Sequence, residues 1–350
     1  MSKTGVLLIN LGTPDAPRTA EVRRYLGEFL SDPRVIDIPA AARAALLGLV
    51  ILPFRSPKSA LAYGKIWTDE GSPLLVAGKK LLGAVRGKLP ELEIALGMRY
   101  GNPSLRSTLR ELHEKGCERI VVFPLYPQYA SSSTGSTLEV VYREAAKLWN
   151  TPFLLTVPPF YDDPGFIEAF GQVAEPVLAE LKPDRVLLSY HGLPERHVKK
   201  CDASGAHCLV KNDCCVVIED VNRFCYRAQC EATSRALQQR LRLEDDRVFI
   251  SFQSRLGRTP WLQPFTDLVL PEWAKEGVKR VAVICPAFVA DCLETLEEIG
   301  MRAREDFRKH GGEELRLVPS LNAEPAWVDA VCDLIRRTMH PAAEPEAVRT

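Results

Sequence analysis

Eight short runs of Val, Ile and Leu constrain this chain most, because they are apolar at nearly every position rather than at alternate ones. In the first half they are Val6–Asn10, Glu93–Met98, Arg119–Pro124 and Phe153–Val157; in the second, Arg185–Ser189, Arg247–Phe252, Arg280–Cys285 and Leu315–Pro319. A strand with one wet face alternates, whereas a strand covered on both faces reads as a continuous run, as in a buried parallel sheet. Longer helical stretches separate the runs, which implies parallel strands joined by right-handed crossovers. GCERIVVFP from Gly116 matches GVKRVAVICP from Gly277 in spacing and character, and each holds the third of four runs. The pattern predicts two similar α/β domains, residues 1–160 and 161–325, each with a four-stranded parallel sheet flanked by helices. A length of 350 residues suits two such domains. A duplicated fold of this kind binds its ligand in the cleft outside the carboxyl ends of the strands. Residues 340–350, HPAAEPEAVRT, read as a disordered tail.

Composition narrows the function. Lys+Arg 45 balances Asp+Glu 45, so nothing points to nucleic acid. No G-x-G-x-x-G follows a strand and no G-x-x-x-x-G-K-[ST] occurs, which disfavours a nucleotide site. MSKTGVLLIN runs directly into a strand, without the basic and apolar regions of a signal peptide, so a cytoplasmic location is expected. The longest apolar run, Ala44–Phe54 (AALLGLVILPF), has 11 residues, short of the roughly 20 that span a bilayer as a helix. It reads as a core or interfacial segment.

Reactive residues gather where strands end. His191 follows the fifth run and enters the turn Gly192-Leu193-Pro194. Asp291 and Glu294 follow the seventh in a helix-capping D-x-x-E pattern, with Glu298 four residues on. Arg99 and Tyr100 follow the second, and Gln253 to Arg258 with Trp261 follow the sixth. Each has a plainer reading: a hydrogen-bonded histidine, a capping glutamate, solvated Glu297 and Glu298, arginines in ordinary ion pairs. Convergence at the carboxyl ends of different strands favours a site.

These motifs resemble those of the ferrochelatases, which insert Fe²⁺ into a porphyrin. The matching stretches are LLINLGTP (7–14), YGKIWTDEGSPL (63–74), GMRYGNPS (97–104), PLYPQYASSSTGST (124–137), LLSYHGLP (187–194), FQSRLGRTPWLQPFTD (252–267) and CPAFVADCLETLEEI (285–299). They span nearly the whole chain in the family's order. The resemblance implies two similar Rossmann-like domains. It also implies a lyase that converts protoporphyrin IX to haem, with His191 as the active-site histidine, Glu294 as its acidic partner and Glu298 as a second acid in the same pocket. Arg99, Tyr100, Phe288, Trp261 and Leu11 match pocket-wall positions. Residues 44–72 match a lip over the porphyrin, with Tyr63 and Ser72 as propionate or rim contacts. That favours a peripheral contact of the Ala44–Phe54 lip with the inner face of a membrane.

The chemistry suits these residue types. Both pyrrole N–H protons must leave as iron enters, and a neutral imidazole is a natural base near pH 7. A neighbouring carboxylate can hold its tautomer and carry protons away. Apolar walls bury the macrocycle, and out-of-plane distortion would expose pyrrole lone pairs. In an alternative, His191 or Glu294 is the first ligand of the incoming Fe²⁺.

Ten cysteines without a signal peptide favour metal or redox roles over disulfides. Cys201, Cys208, Cys214 and Cys215 have the spacing C-x6-C-x5-C-C, unlike a zinc-finger or thioredoxin pair. Four thiolates suit an Fe–S cluster or Zn²⁺, with free thiols as the remaining reading. By resemblance, residues of about 200–221 are an insert. Ser131 stands where the animal-type cluster has a cysteine and none follows Cys332, so a separate [2Fe–2S] cluster on the insert is expected, with Cys225 and Cys230 as spare ligands. The rivals are a coproporphyrin or other tetrapyrrole metal chelatase and a non-catalytic haem-binding protein. The apolar lip favours protoporphyrin over coproporphyrin.

Overall fold

The computed structural model describes residues 3–340 apart from Leu256 and Arg258; the tail expected to be disordered lies outside them but for His340. Two four-stranded sheets, all parallel, form the frame. The first holds β1 (Lys3–Thr13), β2 (Glu93–Gly101), β3 (Cys117–Pro124) and β4 (Phe153–Thr156) in the order β2-β1-β3-β4. The second holds β5 (Arg185–His191), β6 (Val248–Gln253), β7 (Arg280–Ile284) and β8 (Glu314–Leu317) in the order β6-β5-β7-β8. The orders are identical once the second is renumbered, as the repeated segment requires.

Register makes the repeat exact to the residue. Val6 pairs with Val121 and Val186 with Ala282, and Val121 and Ala282 occupy matching places in the repeated segments. Leu11 and His191 each lie five residues further along, so they are structural equivalents at the ends of the two central strands.

The helices, in chain order, are α1 (Thr19–Ser31), α2 (Ala40–Ile66), α3 (Pro73–Lys88), α4 (Leu105–Glu114), α5 (Ser136–Ala145), α6 (Pro164–Leu181), α7 (Glu195–Lys199) and α8 (Tyr226–Leu241). They continue with α9 (Thr266–Lys275), α10 (π-helical over Glu294–Ala303, then α-helical over Arg304–Lys309) and α11 (Pro325–Met339). Both faces of each sheet are covered, as the unbroken apolar runs demand. Helices α4 and α5 close one face of the first sheet, and α9 and α10 one face of the second. The inner faces share one core, in which Trp327 of α11 meets Phe160 and Phe166 with ring centroids 5.6 and 6.0 Å away.

The apolar run at Ala44–Phe54 is not a separate short element. It is the first half of α2, a continuous helix of 27 residues that is long and apolar enough to cross a membrane by length and composition alone. Its second half belongs to the fold. Ser56, Ala60 and Tyr63, spaced i, i+4, i+7, are buried on one face against α1. Its first half is mostly bare: Leu49 is 75% and Phe54 69% exposed.

Candidate active site

A cavity opens at the carboxyl ends of both sheets, where this architecture binds its ligands. Of the residues expected there, it is lined by Leu11, His191, Trp261 and Phe288. Phe29 and Val35 add to apolar walls, and Asn10, Gln128 and His197 supply polar groups.

His191 is the last residue of the central strand β5. Its carbonyl accepts from the Tyr226 hydroxyl at 2.9 Å, and Gly192 N–H donates to the Gln253 carbonyl at 2.8 Å. A Cβ at Gly192 would come within 2.9 Å of that carbonyl, so the close approach needs glycine. The turn is then clamped by the Trp261 segment, where Leu262 N–H donates to Leu193 at 2.9 Å and Glu195 N–H to Pro260 at 3.0 Å. The imidazole Nδ1 lies 2.7 Å from the Gly192 carbonyl oxygen. A carbonyl only accepts, so Nδ1 carries the hydrogen and the neutral ring keeps its lone pair on Nε2. The Phe288 ring is 6.3 Å from the imidazole, centroid to centroid.

The acidic helix differs from its expected form. Asp291 does not cap it. Its carboxylate accepts from the Thr295 hydroxyl and the Ser320 N–H, each at 3.2 Å, and from the Asn322 amide at 2.8 Å, tying the helix start to the 320–322 segment. Glu294 therefore needs no capping role. It opens the π-helical stretch, half-buried, with its carbonyl held by the Gln253 amide at 3.0 Å. It does not line the cavity but lies behind it, near Tyr25, Tyr63 and Cys292. Burial raises the pKa of all three well above normal, and the charge of Glu294 adds to the rise. Glu298 accepts from Ser254 N–H at 3.0 Å and Ser254 hydroxyl at 2.6 Å. Burial raises its pKa and Glu294's charge adds to this, while Ser254, Arg302 and His191 pull it down. Its electrostatic neighbours thus include both His191 and Glu294. Ser254 sits at φ 65°, a left-handed conformation that costs a non-glycine residue and is typical of strained functional segments. Glu297, read from sequence as solvated, is buried and bonded to Lys65 of α2 and Arg302, both at 3.1 Å.

Four expected wall or rim residues lie elsewhere. Arg99 and Tyr100 do not line the cavity. They form a buried network with Asp32, in which Arg99 Nη2 is 2.6 Å, Tyr100 hydroxyl 2.9 Å and Ser136 hydroxyl 2.5 Å from Asp32 Oδ2. Burial alone would raise the Asp32 pKa. Hydrogen bonds from Ser136, the Arg34 N–H and Tyr100, with the charge of Arg99, outweigh burial and hold it below the usual value. Tyr63 is buried on the face of α2 that meets α1, and the Ser72 hydroxyl is buried and accepts from Thr13 at 2.7 Å, so neither forms a rim.

The segment from Lys200 to Cys225 is a turn-rich loop without regular helix. Asp202 gathers the N–H groups of Ser204, His207 and Cys208 at 2.8 to 2.9 Å, and Asn222 holds the carbonyls of Cys214 and Val217 at 2.8 Å. All ten thiols are free, and among the described residues no group of three or more His, Cys, Asp or Glu is arranged to hold a metal. Cys214 and Cys215 have sulfurs 3.7 Å apart, and the Cys208 and Cys215 thiols hydrogen-bond Cys225, the residue capping α8. The Cys201 thiol is 3.4 Å from the His197 carbonyl and has Cys225 as an electrostatic neighbour.

The sequence matches the ferrochelatase family over residues 3–339. The chain belongs to that family. It is 47% identical over 339 residues to the ferrochelatase of Coxiella burnetii, covering 97% of this chain and 94% of the relative. It is 45% identical over 341 residues to that of Pseudomonas paraeruginosa, covering 97% and 100%. In three dimensions it is similar to SirB from Bacillus subtilis, solved with Fe³⁺, with TM-score 0.57 at 12% identity over 96% of this chain and 95% of that one. That likeness concerns the chelatase fold alone. Asp32, Asp37, Ser254 and His197 were not singled out in the ferrochelatase motifs. Only Ser254 stands inside a quoted stretch, and the others act through contacts more than 60 residues away in the chain.

The Asp32 network yields a test. Its depressed pKa means stability is present above the unfolded value, near 4, and is lost as pH falls through the lower folded value. Asp32→Asn should therefore cost about 3–5 kcal/mol at pH 7, the usual penalty for breaking a buried pair. Urea unfolding should show the gap between variant and wild type narrowing below about pH 4.

Proposed function

We propose that this chain is an enzyme that inserts Fe²⁺ into protoporphyrin IX to form haem, with porphyrin and ferrous iron as its substrates. The observation that carries the reading is His191 at the end of the central strand, lining an apolar cavity with Nδ1 tied to a carbonyl and Nε2 left to accept a proton. The coproporphyrin reading is not favoured, and the non-catalytic one leaves the carboxylates behind His191 without a purpose.

The macrocycle is buried between the apolar walls. As iron enters from solution, each pyrrole N–H bond breaks, the electron pair stays on nitrogen and binds iron, and Nε2 of His191 takes the two protons in turn, releasing the first to solvent before the second arrives. Gly192's carbonyl fixes the ring during this step. Glu298 and Glu294 stabilise the resulting imidazolium from behind, within water-poor surroundings where charge acts strongly. The donor set of the cysteine loop fits a sulfur-bound group. Cys208, Cys214 and Cys215 would hold a [2Fe–2S] cluster together with Cys201, as the spacing implies, or with Cys225, which lies beside Cys208 and Cys215. When bound, such a cluster supplies a redox-active cross-link between loop and α8; no step of iron insertion runs through it.

The bare half of α2 supports contact with a membrane surface from the cytoplasmic side. Leu49, Val50 and Phe54 form an exposed apolar group with Arg43, Arg55 and Lys58 nearby to meet headgroups.

His191→Ala should lower turnover with Fe²⁺ and protoporphyrin at least about 100-fold under anaerobic conditions, within the range for loss of a general base; full activity would overturn the mechanism. The purified protein should show visible Fe–S absorption with stoichiometric iron and sulfide. Zinc, or no metal at all, would remove the cluster. Vesicles containing anionic lipid should float the wild type but not Leu49→Glu/Phe54→Glu, and equal recovery of both would rule out the lip as the contact.

A further inference from the structure

Gln128 lines the same cavity as His191 and is 2% exposed. It lies just past the carboxyl end of β3, in the segment that leads to α5. Its amide Nε2 donates to the Thr233 hydroxyl of α8 at 3.0 Å. That hydroxyl has a single hydrogen, and its oxygen stands 2.7 Å from the Tyr161 carbonyl and 3.0 Å from the Gln229 carbonyl, both of which can only accept. Thr233 therefore gives its hydrogen to a carbonyl and receives one from Gln128. This fixes the carboxamide against a flip, with Oε1 as the end turned away from Thr233.

Among the described residues no donor meets Oε1. The other polar groups of the wall bond elsewhere: the Asn10 side chain accepts the Leu11 N–H at 2.8 Å, the Ser133 hydroxyl turns to the Ala130 carbonyl at 3.4 Å, and the Tyr126 hydroxyl accepts from Thr137 at 3.4 Å. Nor is Oε1 one of the unpaired atoms sealed off from any contact. A buried acceptor without a donor is costly, and folded proteins rarely leave one bare, so the occupant of the cavity has to supply the hydrogen. That requirement is selective. At neutral pH the edge of protoporphyrin carries methyl and vinyl groups, which donate nothing, and ionised propionates, which only accept. Its only donors are the inner pyrrole N–H groups, and haem has none.

We propose that Gln128 distinguishes free-base porphyrin from haem, its Oε1 accepting a hydrogen bond from an inner N–H of the substrate and losing that partner when the ring is metallated. The inference rests on porphyrin occupying the cavity as described above. It adds no bond to the reaction already given. The N–H held by Gln128 gives up its proton to His191 in turn, its electron pair goes to iron, and iron stays ferrous. Before insertion the acceptor is satisfied; afterwards it faces a ring that has nothing to donate. The contact therefore favours substrate over product by the worth of one hydrogen bond, and its loss helps haem to leave. Sequence alone hides the role. Gln128 stands inside the PLYPQYASSSTGST stretch, but which end of its amide meets the cavity is decided by Thr233, 105 residues away in the chain.

The test measures equilibrium binding of protoporphyrin IX and of haem to the full chain, without added iron, by quenching of tryptophan fluorescence. Gln128→Met should weaken protoporphyrin binding roughly 3- to 10-fold, the range for one neutral hydrogen bond, and leave haem binding within about twofold. Thr233→Val, which keeps the carboxamide but frees its orientation, should move the ratio of the two affinities the same way by a smaller factor. In turnover, the KM for protoporphyrin should rise with its binding constant while the KM for Fe²⁺ stays unchanged. Equal weakening of both ligands would mark a damaged cavity. An unchanged ratio in both variants would make a water the partner of Oε1. A rise confined to the KM for Fe²⁺ would make Gln128 an iron contact. Each of these results would overturn the proposal. A wild type that binds neither porphyrin would instead strike at the function from which this inference starts.

Discussion

One buried carboxylate organises much of the substrate side of this molecule. Asp32 follows α1 and collects Arg99 and Tyr100 from the end of β2 and Ser136 from the start of α5, while its Oδ1 accepts the Arg34 N–H. Removing a carboxylate from water is costly and is offset only when its lone pairs are all met, which this network does. With Asp32 fixed, the segment behind it has a defined start. Its other end is tied by Asp37 to Arg196, His197 and Lys200 of the second half. Between the two ties lies Val35, part of the cavity wall. The wall is therefore held from both halves by charges that do not touch the cavity's apolar face.

The opposite side works by a different balance. The π-helical stretch of α10 places Glu294, Glu297 and Glu298 close together, and each is treated differently by its surroundings. Glu297 is neutralised by Lys65 and Arg302. Glu298 is held by Ser254, whose left-handed backbone stores some strain to reach it. Glu294 lies among the buried tyrosines Tyr25 and Tyr63. Three neighbouring acids thus meet three different surroundings, and through Glu297 and Lys65 the same helix anchors the lip.

The frame was legible because it obeys a local rule. Unbroken apolar runs with a repeated segment specify covered parallel strands, and the observed strands match those runs to within a few residues at each end. His191 was legible too, since its strand end and glycine turn are contiguous in sequence. What local pattern could not reveal was partner choice across the fold. Asp291 read as a cap because D-x-x-E is a cap when nothing else competes, but the 320–322 segment does compete. Arg99 and Tyr100 read as cavity wall because they follow a strand, but Asp32 draws them away. The cysteine spacing suggested four ligands in the insert, and folding adds Cys225 beside Cys208 and Cys215. The helical continuity of α2 was missed because the eye stops at Pro53 and Pro57, which this helix absorbs.

Leu11 and His191 occupy the same place in the two halves of a doubled architecture, and both reach the one cavity. A flat macrocycle has two faces that are chemically alike until something distinguishes them. At this pair of equivalent positions one copy presents hydrocarbon to the cavity and the other an imidazole. The duplication supplies the symmetry of the cleft, and the divergence of this pair breaks it.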